Sequence, residues 1–270
     1  MRLVEMSSGQ ESLKALAEGK VDGAAMTLDE LLQARASGLP LSVVMVFDIS
    51  AGADMLVAYP GIKVLADLKG RYIGFEQGSV GELMLVESLR SAGLRKENVT
   101  LVMLLSITQQ REDWSRDQVD AVITFEPVVT QLLAQGALNL FDSRQIPNTI
   151  VDVLAIRSDR LDCDWSHVRA IRHLLVAHFR VLKHLNRNRE NAAYRMALHL
   201  GLPATNFLAA FKVLMLPDAA HNYRLLAGNA PELLTSARKL SALMVKSELL
   251  KQDAPLTTLI RADFRPTDFQ

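Results

Sequence analysis

The stretch with the clearest capacity for chemistry is Glu76-Gln77-Gly78-Ser79. It sits between a β-favouring run, Tyr72-Ile73-Gly74-Phe75, and an apolar-periodic segment from Val80 to Leu94. Gly78 suits a positive φ, and Ser79 stands where a helix needs its N-cap. Leu83, Val86, Leu89 and Ala92 recur at helical spacing, and Gly93 closes the helix. A strand, a tight loop and a helix in that order turn backbone N–H groups and the positive end of a helix dipole toward whatever sits above them. The chemistry on offer is capture of an anionic or carbonyl group. The same pattern equally describes an ordinary connection between a strand and a helix.

Few other residues have the spacing of a reactive or metal-binding site. There is no Walker loop, no dinucleotide fingerprint and no Gly-x-Ser-x-Gly elbow. The six histidines, at 167, 173, 178, 184, 199 and 221, never fall four residues apart on a helix, so they read as solvated or packing residues rather than ligands. Arg169, Arg172, Arg180, Lys183, Arg187 and Arg189 read as a solvated helix face, and the ten methionines as core filler. Cys163 is the only cysteine, which excludes an internal disulfide and a multi-cysteine metal site. No cofactor and no metal are called for. Formal charge is zero, which argues against a nucleic-acid partner. The apolar runs are short and interrupted, so no membrane span is expected, and no signal-peptide pattern follows Arg2.

The elements that must position the Gly78 corner alternate. Strands are expected at residues 3–6, 21–26, 41–47, 55–58, 72–75, 99–104, 119–125, 138–141 and 150–156, with helices between them. Ser8 or Gly9 caps a first helix, and Thr27 and Glu30 have capping-box spacing for a second. Residues 48–54 read as a flexible polar connection, and Pro127 as a first-turn proline. This alternation argues for an α/β fold with parallel βαβ units. After Asp164 the pattern is helical, with Val168, Ile171, Leu174, Leu175, Leu182 and Leu185 striping one face. An internal echo organises the whole. Gly19-Lys20-Val21-Asp22-Gly23-Ala24-Ala25 matches Asp117-Gln118-Val119-Asp120-Ala121-Val122-Ile123 at an offset of 98 residues. Two copies of one unit point to two lobes of similar design rather than a solenoid.

Four ordered segments then carry a family resemblance: SSGQESLKALAEGKVDGAAMTLDE, DLKGRYIGFEQGSVGELMLVESLRSAGL, QVDAVITFEPVVTQLLAQG and LFDSRQIPNTIVDVLAIR. Together they resemble the substrate-binding proteins of nitrate/sulfonate/taurine-type ABC importers, a group that includes binders of thiamine-pyrimidine precursors. The resemblance implies a type II periplasmic-binding-protein fold: two α/β lobes, a hinge and an interlobe cleft. Crossings are then expected at Met55–Ala58 and Asp152–Ile156. Residues 1–57 and 152–270 would form one lobe with the C-terminal helices, and 58–151 the other. Such proteins begin with a further strand and helix ahead of the equivalent of Leu3, which this chain lacks.

Carried onto matching positions, the resemblance implies a ligand site lined by Thr27, Asp29, Asp48, Ser50, Glu76, Gly78, Ser79, Val80, Thr124 and Glu126. Glu126 has a second explanation, because a carboxylate at a helix start is favoured by the dipole alone. The implied function is non-catalytic capture of a small polar solute for an ABC permease and ATPase complex, in a periplasmic or extracytoplasmic setting, with the export signal absent from this chain. Four carboxylates and no arginine or lysine at these positions favour a nitrogen-bearing solute, such as an amino-sulfonate or an aminopyrimidine, over a bare anion. A ligand-sensing domain that signals to a partner is one alternative. A thiamine-pyrimidine synthase-like enzyme is another, although that branch uses a cysteine-rich motif that Cys163 alone does not supply.

Overall fold

The computed structural model describes residues 1–264 apart from 7, 79, 105–106, 163–164 and 201–202. Its strands are β1 (Gly23–Thr27), β2 (Leu41–Ser50), β3 (Asp54–Ala58), β4 (Tyr72–Phe75), β5 (Thr100–Met103), β6 (Ala121–Phe125), β7 (Leu138–Asp142), β8 (Val151–Arg157) and β9 (Leu214–Met215). Its helices are α1 (Gly9–Ala17), α2 (Leu28–Ala36), α3 (Val80–Ser91), α4 (Ile107–Ser115), α5 (Val128–Ala134), α6 (Ser158–Leu161), α7 (Trp165–Arg187), α8 (Arg189–Leu200), α9 (Ala204–Phe211), α10 (Ala219–Leu226) and α11 (Glu232–Lys246).

The chain divides into two compact units. The first holds Met1–Ile49, Val151–Ala204 and Met215–Gln270, and the second Ser50–Ile150 with Thr205–Leu214. The chain therefore passes between them at 49/50, 150/151, 204/205 and 214/215. Met55–Ala58, expected as a crossing, lies instead inside the second unit, where β3 is hydrogen-bonded on both sides, to β6 and β7. Five consecutive buried residues explain this: a strand buried on both faces belongs in the middle of a sheet.

The first unit contains the sheet ordered β1-β8-β2-β9. β8 pairs antiparallel with both β1 and β2, which corrects the expectation of parallel units throughout. In the second unit β4 runs parallel to β5 and β6, in a sheet ordered β5-β4-β6-β3-β7. Residues 3–6 form no strand and are exposed or half-buried. The polar stretch expected as a flexible connection is in part strand, since β2 runs on through Asp48 and Ser50.

β2 is irregular, with register shifts between Val43 and Met45 and between Val46 and Asp48. Asn222 of α10 acts there as a substitute strand. Its Oδ1 accepts from the Val46 N–H at 2.8 Å and its Nδ2 donates to the Val46 carbonyl at 2.9 Å, so both backbone groups of Val46, beside the second shift, stay paired in the core. On the other side of the bulge, Val43 pairs with the C-terminal stretch, its N–H donating to Leu259 O at 2.7 Å and its carbonyl accepting from Arg261 N at 2.9 Å.

The echoed segment is one local structure made twice. Gly19 and Asp117 both take positive φ, 68° and 53°. Lys20 N donates to Ala15 O and Gln118 N to Asp113 O, both at 2.9 Å, and each pair closes a helix before a strand begins. This is the left-handed C-cap, the physical content of the repeat. One copy leads into β1 in the first unit and the other into β6 in the second.

Candidate functional site

In the first unit the site is built where β1 turns into α2. Thr27 is the N-cap of α2, and its N–H donates to Glu30 Oε2 at 3.0 Å. Only that half of the expected capping box is made: the Thr27 hydroxyl oxygen is buried with no hydrogen-bond partner. Two residues on, Asp29 is only 2% exposed, and its Oδ2 also has no partner. Burial, reinforced by the neighbouring Glu30 carboxylate, pushes the Asp29 carboxyl up to about 7, against a smaller pull downward from the nearby Thr27 hydroxyl and the α2 N–H groups. Burial also raises Glu30.

The sheet brings two more carboxylates to this end. Asp152 of β8 is register partner to Thr27 on one side and to Asp48 on the other. Thr27, Asp152 and Asp48 therefore form a row across three strands, with Asp29 in the first turn of the helix that follows. Thr27, Asp29 and Asp48 were anticipated. Asp152 was not, because only the antiparallel pairing of β8 between β1 and β2 places it there.

In the second unit, β4, β5 and β6 are parallel and end on the same side, at Phe75, Met103 and Phe125. Ligands of open parallel sheets bind beyond such ends. The Gly78 corner lies here, but its chemistry is partly engaged internally. Gly78 takes φ 71°, and its N–H donates to Glu82 Oε2 at 3.1 Å, while Lys96 holds Glu82 Oε1 at 2.9 Å. Val80 turns its side chain into the core formed with Met84, Ile73 and Phe141. Glu76 is half-buried. Its backbone packs so tightly on α3 that a Cβ on Gly81 would come within 2.9 Å of the Glu76 carbonyl oxygen. Ser79 lies outside the described residues.

Glu126 follows β6 across a cis peptide to Pro127, the residue that precedes α5. Its carboxylate accepts from the Thr130 N–H at 3.2 Å and the Thr130 hydroxyl at 2.9 Å. It caps the first turn of α5, which is the dipole explanation rather than the ligand one. Thr124, by contrast, is 2% exposed and its hydroxyl oxygen is unpartnered. Gln110 of α4, 1% exposed, likewise leaves Oε1 without a partner. Thr124 lies two residues beyond Val122, and Gln110 one turn before Trp114. Val122 and Trp114 share one core cluster, so both polar side chains face the layer between the sheet and its helices. Nothing in the sequence marks Gln110, since a glutamine on a polar helix reads as solvated.

Ser50 sits in a buried oxygen cluster that was legible only in part. Its hydroxyl is 2.7 Å from that of Ser143, which also accepts from the Gly52 N–H at 2.7 Å. Asp54 completes the group. Burial pushes its carboxyl up to about 6, and the Ser50 hydroxyl draws it partly back. Arg144 lies against Gly52 and is ion-paired to Asp142 at 2.7 Å. A groove of about 290 Å³ lined by Arg111, Trp114, Ser115, Gln131 and Gln135 opens by the C-terminal ends of α4 and α5, the end opposite Thr124. Among the described residues no three His, Cys, Asp or Glu side chains cluster as a metal site, and no helix is long and apolar enough to cross a membrane.

Comparison with known proteins fits this layout. A protein of Escherichia coli (strain K12) named as an aliphatic sulfonates-binding protein is 29% identical over 139 residues, 51% of this chain. That stretch is 43% of the relative, so the match spans less than half its length. Among solved structures, the periplasmic aliphatic sulphonate binding protein SsuA of Escherichia coli superposes with a TM-score of 0.78 at 21% identity, covering 99% of this chain and 83% of that one. The alkanesulfonate-binding protein SsuA of Xanthomonas axonopodis pv. citri, bound to MOPS, gives 0.74 at 21% identity over 95% and 84%. The fold is also shared by a point mutant of DSZB in complex with biphenyl-2-sulfinic acid, at 0.67 and 15% identity over 95% and 88%. The model of the family described as NMT1/THI5 like matches residues 1–174, well over half of the chain. With its periplasmic-binding-protein fold, the chain belongs to the NMT1/THI5-like family.

Proposed function

We propose that this protein is the solute-binding component of an ABC importer, capturing a small polar, nitrogen-bearing solute such as an amino-sulfonate or an aminopyrimidine. The observation that carries the reading is the fold match over 99% of the chain to a periplasmic sulphonate-binding protein. The buried oxygens of Thr27, Asp29 and Thr124 support it. A folded protein rarely leaves buried polar atoms unpaired. A permease and ATPase complex is the partner this role requires, and an extracytoplasmic setting is where such a component works. Two lobes, 1–57 with 152–270 and 58–151, remain the proposed domain plan, adjusted to the unit boundaries at 49/50 and 150/151.

The residues proposed to meet the solute are Thr27, Asp29, Asp48, Ser50, Glu76, Gly78, Ser79, Val80, Thr124 and Glu126. Thr27, Asp29 and Thr124 have the strongest structural support, Val80 and Glu126 the least. Isothermal calorimetry against sulfonates, amino-sulfonates, nitrate, amines and pyrimidines tests the reading. Stoichiometric binding of one class without turnover is the expected result. Binding of none would overturn it. A second reading, catalysis, has the fold of DSZB, a desulfurization enzyme, on its side. Product formation from any bound compound, followed by chromatography, would favour it.

A further inference from the structure

Helix α7 carries a line of exposed cations and no carboxylate of its own. From Trp165 to Arg187 it holds Arg169, Arg172, Arg180, Lys183 and Arg187, with no aspartate or glutamate between them. All five are exposed. At 3.6 residues per turn they fall, with Trp165, within roughly 80° of the helix circumference, and the stripe from Arg169 to Arg187 is about 27 Å long. The apolar face of the helix is committed to the core through Ile171, Leu175, Phe179, Leu182 and Leu185. Elsewhere arginines hold carboxylates, as Arg90, Arg144 and Arg261 do. Among the described residues none of the five is so paired. Arg172 reaches the Asp263 carbonyl oxygen at 3.4 Å, and the Asp263 carboxylate is taken by Arg261.

Such a line opposes its own helix. Arg169 and Arg172 are three residues apart, as are Arg180 and Lys183, and Lys183 and Arg187 are four apart, the separations at which like charges repel on a helix surface. The helix dipole accounts for cations in the last turn, not for Arg169 and Arg172 near the start. The whole chain has zero formal charge, so the charge belongs to this face, and a neutral chain argues against nucleic acid. Protein interfaces are depleted of charge at their centre, whereas this stripe has cations along its length. Trp165, 83% exposed at its head, is the kind of side chain that settles at the headgroup level of a bilayer. We propose that the exposed face of α7 is a docking surface for an anionic phospholipid bilayer. The five cations meet lipid phosphates, and Trp165 lies among the headgroups. The helix adsorbs rather than inserts, because its apolar face is already buried.

Flotation of the full chain with vesicles of about one-third phosphatidylglycerol in phosphatidylcholine, against phosphatidylcholine alone, tests this. Binding should require the anionic lipid and weaken with added salt. Each cation near such a surface is worth about fivefold in affinity, so the triple variant Arg180→Gln, Lys183→Gln, Arg187→Gln should lose about 100-fold. Circular dichroism checks that it is folded. Should it fail to fold, the double variant Arg169→Gln, Arg172→Gln takes its place, with an expected loss of about 25-fold. Tryptophan emission should shift to the blue on the anionic vesicles, from Trp165, since Trp114 is already buried. Unshifted emission overturns the headgroup placement of Trp165. Binding that ignores phosphatidylglycerol, or that survives the loss of the cations, overturns the docking surface. So does tighter binding to polyglutamate or to duplex DNA at equal anionic charge, which would assign the stripe to an acidic protein or a nucleic acid. The assay contains no solute, so each of these results leaves the solute-binding reading where it stands.

Discussion

At the scale of single residues, Asp29 sets a pH dependence whose sign follows from its burial. In the unfolded chain its carboxyl titrates near 3.8, and in the folded protein near 7. Below about 4 both states hold the proton and no penalty exists. Between those values the folded state holds a proton the unfolded state has lost, so stability falls as pH rises, and above about 7 the full cost of a buried charge is present. Asp29→Asn keeps the shape and removes the charge. It should therefore be more stable than the wild type at pH 8, by up to about 4 kcal/mol, and nearly equal at about pH 4. Urea denaturation at the two pH values measures this, and a difference that does not grow with pH would refute it. Asp54, raised to about 6, adds a smaller contribution of the same sign over a lower window.

At the scale of elements, two contacts decide how strands and helices meet. The bulge in β2 depends on Asn222, which supplies the donor and acceptor that a regular neighbour would have offered to Val46. Asn222→Ala leaves a buried N–H and a buried carbonyl unpaired and should cost about 2–4 kcal/mol in denaturant unfolding. The start of α3 depends on Gly81. Alanine is the better helix former by about 1 kcal/mol, yet its methyl would press on the Glu76 backbone at 2.9 and 3.0 Å. The contact should win, and Gly81→Ala should lose about 1–3 kcal/mol. A stabilised Gly81→Ala protein would show that the corner yields more readily than its geometry implies.

At the scale of the whole molecule, the C-terminal stretch acts as a strap on the first unit. Buried Arg35 of α2 donates to the carbonyls of Pro255, Thr257 and Leu41, while Ser42 of β2 holds the Thr258 carbonyl at 2.7 Å. Leu250, Ala254, Leu259 and Phe264 are buried along it. Arg35→Met should weaken folding by about 2–4 kcal/mol and make the segment after residue 250 the first cut in limited proteolysis. Uniform digestion of wild type and variant would argue that burial alone holds the strap. Solute binding works on the same scale. A solute at about 100 times its Kd adds roughly 2.7 kcal/mol to the stability of the state that binds it. Differential scanning calorimetry should then show a Tm rise of about 5–10 °C.

The sequence by itself determined what depends on neighbours along the chain. The Gly78 turn, the Gly93 stop, the capping of α1 by Ser8, and the doubled Gly19 and Asp117 helix ends rest on backbone conformations that a few adjacent residues dictate. The echo was legible as two-unit design for that reason. Strand pairing was not, because alternating apolar residues fit a parallel or an antiparallel neighbour equally well. Only the tertiary structure put β8 between β1 and β2, and so brought Asp152 to Thr27 and Asp48. It likewise moved Met55–Ala58 from a crossing to the inside of a sheet, where hydrogen bonds on both edges and burial on both faces leave no freedom to act as a joint. Which oxygens remain unpaired is also decided in three dimensions. Glu126 and Thr124 are two residues apart, yet Thr130 engages the carboxylate while no group reaches the Thr124 hydroxyl. A residue's type states what it can bond, and only its packing states what it is left without.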